Sequence, residues 1–477
     1  MTGNLYALLA SRFPADRSRP CFIEPGRPPI SYGEVEAGVG RLASLLASKG
    51  VAVGDRVVVQ AAKCPELVML YLACLQVGAV FTPLNTAYTG AEVAYFLEDA
   101  EPKLVVRDAA ALAREAASLP PSAEVHPCDA DALASIIYTS GTTGRSKGAM
   151  LSHGNLAANA LALHAAWGFT PDDVLLHALP IFHVHGLFVA LHCAFLSGAP
   201  MIWLAKFDDQ AVIEALPGAT VMMGVPTFYV RLLENPAFTR AVAGPRRLYI
   251  CGSAPLLEST FEAFEARTGH RILERYGMSE AVIITSNPLH GDRIPGSVGY
   301  PLPGVDLRIA GGEETGVIQI KGPSVFGGYW RMPDRTREEF TEDGFFITGD
   351  VGRQDADGRV WISGRAKDLI ISGGFNVYPK EIELVLDTLP GVIESAVIGA
   401  AHPDFGEAVV AVIAGAGDEA TIIAAARERL AAFKAPKRVF FVEDLPRNAM
   451  GKVQKAALRQ AYAEVFAGPG PHQRSRS

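Results

Sequence analysis

Tyr138-Thr139-Ser140-Gly141-Thr142-Thr143-Gly144-Arg145-Ser146-Lys147-Gly148 decides how this chain is read. The segment follows an apolar run at residues 135–138 and precedes a polar turn and a helical stretch. Gly141, Gly144 and Gly148 let the backbone turn sharply and aim its N–H groups at an anion. Thr139, Ser140, Thr142 and Thr143 add short hydroxyl donors, and Arg145 and Lys147 add positive charge. This is the chemistry of a polyphosphate cradle. It is not a Walker loop, because no G-x-x-x-x-G-K-[ST] occurs in it. A plain solvated loop shares its composition, but about nine or ten fixed positions, each at roughly 5–7% usage, do not arise together by chance.

Outward from this loop, helix-like and strand-like segments alternate. Ser31-Tyr32-Gly33-Glu34 fits a capping box, and the helical period runs on through Val35, Leu42 and Leu46. Residues 56–60 read as a strand, 65–76 as a helix and 79–81 as a strand. The alternation resumes with strands at 135–138, 174–179, 200–204, 219–223 and 247–251. It predicts an α/β fold, a large N-terminal domain of layered subdomains on largely parallel sheets. From 296 to 361 glycines are frequent and strands short, which predicts a small β unit. Helices at 379–386 and 421–432, with strands at 396–398, 408–413 and 438–442, predict a small α+β C-terminal domain. The expected division is 1–366 and 367–467, followed by a Gly/Pro/Ser/Arg-rich disordered tail, 468–477.

Composition narrows the function. The 477 residues are 49% apolar and 20% charged, which excludes a disordered chain and a small disulfide-held scaffold. Lys plus Arg is 43 and Asp plus Glu is 51, a net charge of −8. Such a chain is a poor general binder of nucleic acid or of an anionic membrane, so phosphates must be held at a local site. Six scattered cysteines form no C-x-x-C pair and predict reduced, mostly buried thiols in a reducing compartment. Residues 1–20 lack a signal-peptide pattern. The apolar stretch 188–205 is interrupted by His192, Gly198 and Pro200, so it predicts a core helix, a turn and a strand rather than a membrane span. The expected location is cytoplasmic.

The loop resembles the phosphate loop of the adenylate-forming superfamily: acyl-CoA synthetases, firefly luciferase and peptide-synthetase adenylation domains. The resemblance runs from about Leu5 to Lys455 with the motifs in order. Pro83-Leu84-Asn85-Thr86-Ala87-Tyr88 and Met223-Gly224-Val225-Pro226-Thr227-Phe228-Tyr229 look like the subgroup that ligates malonate to coenzyme A. The resemblance implies two half-reactions. A carboxylate attacks the α-phosphorus of ATP, giving acyl-AMP and pyrophosphate, and a thiol then displaces AMP. Positioning and electrostatics carry such chemistry.

By resemblance, Tyr276 of Tyr276-Gly277-Met278-Ser279-Glu280 would stack on adenine, and Ser279 would touch the α-phosphate. Glu280, with Thr139, would hold Mg²⁺, a hard cation suited to carboxylate oxygen. Gly252-Ser253-Ala254-Pro255 would contact adenine, and Asp350 and Arg365 the ribose. His183 of Phe182-His183-Val184-His185-Gly186 would neutralise or orient the attacking carboxylate; His185 reads as a core residue. Lys452 would reach the α-phosphate as a point charge on a flexible stem. Lys367 would be the hinge about which the C-terminal domain rotates between half-reactions. Gly373 and Gly374 would line the pantetheine tunnel.

For the acid, Arg293 matches an arginine of the malonate subgroup, with Ser286 adding a hydrogen bond and Arg247 as a weaker candidate. Ala281-Val282-Ile283-Ile284 stands where that subgroup often has Thr-Asn-Met-Asn, and Val184 replaces a common Thr. Val184 and Ile283 therefore predict a more apolar pocket, open to methylmalonate or another 2-substituted malonate. Two rival functions are an adenylating enzyme that loads a carrier-protein thiol and a non-catalytic nucleotide binder. Retention of Lys147, Glu280, Asp350, Arg365 and Lys452 argues against the second.

Overall fold

The computed structural model describes residues 3–139, 146–244, 246–311, 314–372, 375–448 and 451–466. It is a mixed α/β structure that divides into two compact units. One comprises residues 1–307 with 320–346, the other 308–319 with 347–477.

The first unit contains two sheets. The smaller runs Leu104–Val106, Arg56–Val59, Val80–Pro83, Leu133–Thr139, Lys147–Ser152. Its first four strands are parallel, and the last returns antiparallel from the phosphate loop, pairing Thr139 with Lys147. Val57, Val58 and Val59, all 2% exposed or less, show why these strands read as apolar runs. A parallel sheet covered on both faces has no solvent side to alternate with. Tyr32–Ser48 begins with the expected capping box at Ser31, and Pro65–Val77 starts on a proline and stops at Gly78 in the left-handed region.

The larger sheet has a parallel centre: Met201–Trp203, Leu175–His177, Val221–Gly224, Leu248–Cys251, Leu273–Tyr276. Thr285–Ser286 and then Ser297–Pro301 continue it antiparallel. Packed against it, Leu176, Met222, Tyr249, Phe261, Phe264 and Ile272 share one core. The interrupted apolar stretch forms a π-helical turn, His185–Ala190, a helix, Leu191–Ser197, a turn at Gly198 and the strand Met201–Trp203. Among the described residues no helix is long and apolar enough to cross a membrane.

In the second unit the strands Phe346–Gln354 and Val360–Arg365 form an antiparallel pair. The long hairpin Val392–His402 and Gly406–Gly415 follows, joined by the parallel strand Arg438–Val442. Val409, Ala411 and Ile413 face the helices Pro379–Leu386 and Glu419–Arg429, while Val410, Val412 and Ala414 face Leu458 of Lys455–Ala461. The two-residue period of a strand thus feeds two cores, one on each side of the sheet.

Candidate active site

The parallel strands of the larger sheet deliver their following loops to one edge, where open α/β sheets place ligands. Leu175–His177 leads to His183 and His185, Leu248–Cys251 to Gly252-Ser253-Ala254-Pro255, and Leu273–Tyr276 to Gly277, Ser279 and Glu280. Two residues of these loops hold strained backbone. Ser253 has φ 73° and the β-branched Val282 has φ 59°. Left-handed conformations are costly for such residues and concentrate at ligand sites. Gly277 is required by close packing, since a Cβ there would lie 2.0 Å from the Val282 carbonyl oxygen.

At this edge lies a cation the sequence reading passed over. Arg275 is 4% exposed, and no carboxylate pairs with it among the described residues. Its guanidinium rests on Gly252, where a Cβ would come within 2.5 Å of Cζ. One amino group donates weakly to Ser253 Oγ at 3.4 Å, and Ser253 Oγ is 3.3 Å from His185 Nδ1. Arg275 Nε and His185 Nε2 are buried without a protein partner. Burial pulls the arginine down to about 10. Burial, and then the charge of Arg275, pulls His183 down to about 4. His183 is therefore neutral at pH 7: it can orient a carboxylate by hydrogen bonding but cannot neutralise it, and the charged group beside it is Arg275. His185, which the sequence presents as a core residue, joins the same cluster. Val184 and Ile283 are both buried, 4% and 0% exposed.

The other acid-pocket expectations are already partnered. Arg293 spends its guanidinium on the carbonyls of Arg271 at 2.6 Å, Leu289 at 2.8 Å and Pro288 at 3.2 Å. Arg247 opens its strand, at the edge opposite Gly252, and forms a two-pronged pair with Asp173 at 2.6 and 2.8 Å. Burial works to raise Asp173, but Arg247, the Thr170 N–H and Thr220 hold it below the ordinary carboxylate value. Ser286 sits across from Arg275 in register, yet its hydroxyl accepts from Trp167 and donates to the Asn287 carbonyl.

On the phosphate side, Ser140, Gly141, Thr142, Thr143 and Gly144 lie outside the described residues. Thr139 Oγ1 reaches the Lys147 carbonyl at 3.4 Å. Lys147 pairs with Glu339 at 3.0 Å and lies 4.0 Å from the Tyr329 ring centroid. Tyr329 donates its hydroxyl to Glu280 Oε1 at 3.0 Å, and Glu280 is 6% exposed. Tyr329 thus connects the phosphate-loop lysine with the expected magnesium carboxylate. Neither it nor Glu339 was singled out from sequence, because the Gly-rich strand context of Gly328-Tyr329-Trp330 carries no chemistry by itself.

The second unit gathers Asp350, Arg365, Lys367 and Lys452. Asp350, 4% exposed, pairs with Arg365 at 2.6 Å. Arg447 and Val453 pair antiparallel on either side of Lys452. The Lys452 N–H donates to Asn448 Oδ1 at 3.0 Å, Gly451 has φ 74°, and Arg447 donates to the Gly451 carbonyl. The Lys452 side chain keeps an exposed surface, yet desolvation of its ammonium, then Arg365, pulls it down to about 8; Asp350 and Asp368 oppose this. Lys367 is also lowered, first by burial. Gly373 and Gly374 lie outside the described residues.

These arrangements coincide with similarity to known proteins. The model of the AMP-binding enzyme family matches residues 10–330, and that of the AMP-binding enzyme C-terminal domain matches 381–452. A probable CoA ligase of Humulus lupulus is 40% identical over 68% of this chain and 60% of its own length. The malonate–CoA ligase of Arabidopsis thaliana is 35% identical over 86% of this chain and 78% of its own. The crystal structure of ATP-bound MatB from Rhodopseudomonas palustris superposes with a TM-score of 0.95 at 49% identity, covering 98% of this chain and all of that one. The chain belongs to the AMP-binding enzyme family, within the adenylate-forming superfamily.

Proposed function

We propose that the chain is an AMP-forming malonate–CoA ligase. The observation that carries this reading is Arg275: a buried, carboxylate-free guanidinium beside Ser253, His183 and His185, at the edge where the adenylate-forming loops converge. A monocarboxylic acid needs no such cation. A dicarboxylate does, because a second carboxylate without a partner in a buried pocket costs several kcal/mol. The role first expected of Arg293 and Arg247 therefore passes to Arg275, whose unpartnered Nε still has a proton to donate.

In the first half-reaction an oxygen of one carboxylate attacks the α-phosphorus and the bond to pyrophosphate breaks. Neutral His183 orients that carboxylate. Tyr276 and the Gly252 loop seat adenine, Asp350 and Arg365 hold the ribose, and Lys147 and Lys452 neutralise phosphate charge. Glu280, held by the Tyr329 hydroxyl, offers a hard oxygen that, with Thr139, would hold Mg²⁺. The cation would supply charge neutralisation at the phosphates. In the second half-reaction the CoA sulfur attacks the acyl carbon and the bond to AMP breaks; rotation of 367–467 about Lys367 admits the thiol. The six free cysteines, four of them buried, suit a reducing, cytoplasmic setting.

The buried Val184 and Ile283 favour a second reading of the substrate, a 2-methyl-substituted malonate. Comparing kcat/KM for malonate, methylmalonate and acetate, with free CoA as acceptor, tests both. The diacids are expected to exceed acetate at least about a hundredfold, since buried polar groups left unpaired penalise the analogue. Acetate outranking both diacids overturns the proposal.

A further inference from the structure

Lys63 lies between the strand Arg56–Val59 and the helix Pro65–Val77, and none of the roles above uses it. Its Nζ is 2.9 Å from His177 Nδ1, 2.9 Å from the His177 carbonyl and 2.7 Å from the Leu204 carbonyl. It also sits 4.1 Å from the Trp203 ring centroid. Three acceptors use all three ammonium protons, and no carboxylate pairs with Lys63 among the described residues. Burial lowers Lys63 well below the ordinary lysine value. Charged or neutral, it donates to His177 Nδ1, because the Gly186 carbonyl, 2.9 Å from Nε2, can only accept and so keeps the imidazole proton on Nε2.

His177 is 1% exposed. Burial first, and then the charge of Lys63, pushes it well below the usual histidine range, so it stays neutral. Gly186 directly follows His185 at the start of the π-helical turn. A Cβ at Gly186 would lie 2.1 Å from the Pro180 carbonyl oxygen, so the turn is held close on that side as well. π-Turns inside helices recur at functional sites, where they aim side chains that a regular helix would not.

We propose that Lys63 is a positioning residue: through the Nε2–H form of His177 and the Gly186 carbonyl, it fixes the turn that carries His183, Val184 and His185. The proposal rests on reading that turn as part of the acid pocket. Lys63 itself touches no substrate. It sets a tautomer, the tautomer sets a hydrogen bond, and the hydrogen bond sets where the pocket histidines stand. Such indirect placement matters because a shift of about 1 Å at a reacting group can cost up to about a hundredfold.

The test uses the full chain with Lys63→Met and Lys63→Gln. Lys63→Met is expected to raise KM for malonate about tenfold while leaving KM for ATP unchanged; Lys63→Gln, whose amide still donates, recovers most of the loss. The second readout is nitrogen-15 NMR of the histidines, with His177 assigned by its loss in His177→Gln. In the unsubstituted protein His177 should remain Nε2–H from about pH 6 to 8.5; in Lys63→Met it should titrate or change tautomer. The charged and titratable groups around His177 are Lys63 at Nδ1 and His185, with His183 and Arg275 beyond. An unchanged malonate KM in Lys63→Met overturns the proposal. So does a parallel rise of both KM values with a lowered melting temperature, or an Nδ1–H form in the unsubstituted protein. If the unsubstituted protein adenylates no diacid, the malonate reading fails, and the NMR tautomer still decides the Lys63–His177 coupling.

Discussion

At the two edges of the parallel sheet in the first unit, Arg247 and Arg275 are held in opposite ways. At the edge where the strands begin, Arg247 meets Asp173 with two bonds and the Trp167 carbonyl with a third, and Asp173 also accepts from Thr220. At the edge where the strands end, Arg275 has, among the described residues, a 3.4 Å contact with Ser253 and no partner for its Nε. The strained backbone of Ser253 and Val282 lies at the second edge as well. Arg247 is thus satisfied within the protein, whereas Arg275 keeps a donor that a ligand can complete. The second unit repeats the contrast. Lys455 and Arg459 pair with Glu383 at 2.5 Å and Asp368 at 2.7 Å, whereas Lys452 is pulled down to about 8, first by burial and then by Arg365, against Asp350 and Asp368.

The largest effect should come from Lys452→Ala. We expect pyrophosphate–ATP exchange to fall about a thousandfold, the cost of removing a charge that acts on the transition state, while AMP binding is largely kept. Exchange that survives intact would end the comparison for the second unit. The same ammonium predicts a pH dependence: it is charged below about 8, so exchange should decline as pH rises through that value.

Next comes Gly252→Ala. The new Cβ would press on the Arg275 guanidinium, which must move off the backbone. KM for malonate should rise about tenfold, as misplacement of one positioned group does, and KM for ATP should rise as well, because the Gly252 loop also seats adenine. A variant with ordinary malonate kinetics would mean that the acid does not use this cation.

Arg247→Met sharpens the contrast from the other side. Removing the partner of a carboxylate that is 3% exposed should cost stability, about 2 kcal/mol once the partly exposed arginine is allowed for, read in a denaturant titration. kcat/KM for malonate should stay within about threefold. A large kinetic loss without a stability loss would return Arg247 to the acid pocket.

A separate effect concerns acid stability. His153, His183 and His192 are held down to about 4, 4 and 3, chiefly by burial. The unfolded chain binds protons at these sites near pH 6.5 and the folded chain does not, so folding stability is lost as pH falls from about 6.5 toward 4. The melting temperature should drop across that interval. An unchanged melting temperature would show that these histidines charge without unfolding.

Much of this architecture was legible in the chain. The phosphate loop stood out because glycines, hydroxyls and cations recur at fixed spacing, and the parallel strands because burial on both faces turns them into apolar runs. Tyr276, Glu280 and Lys452 stand out through motifs with a definite order. Arg275 was not, although it stands immediately before Tyr276. In the short strand Leu273-Glu274-Arg275-Tyr276, an arginine next to a glutamate gives no local sign of its partners. Those partners, Gly252, Ser253 and His185, arrive from strands that are neighbours only in the sheet. Arg293 drew attention because it matches an arginine of the malonate subgroup, but its loop folds its guanidinium back onto three carbonyls. Tyr329 and Glu339 likewise become informative only when the chain brings them to Glu280 and Lys147.

The most direct test is the ratio of kcat/KM for malonate over acetate, measured in the unsubstituted protein and in Arg275→Met. The unsubstituted protein should prefer malonate at least about a hundredfold, and Arg275→Met should bring the ratio near one by losing malonate activity alone. A ratio that is the same in both proteins would contradict the assignment of Arg275 to the second carboxylate, and with it the central claim.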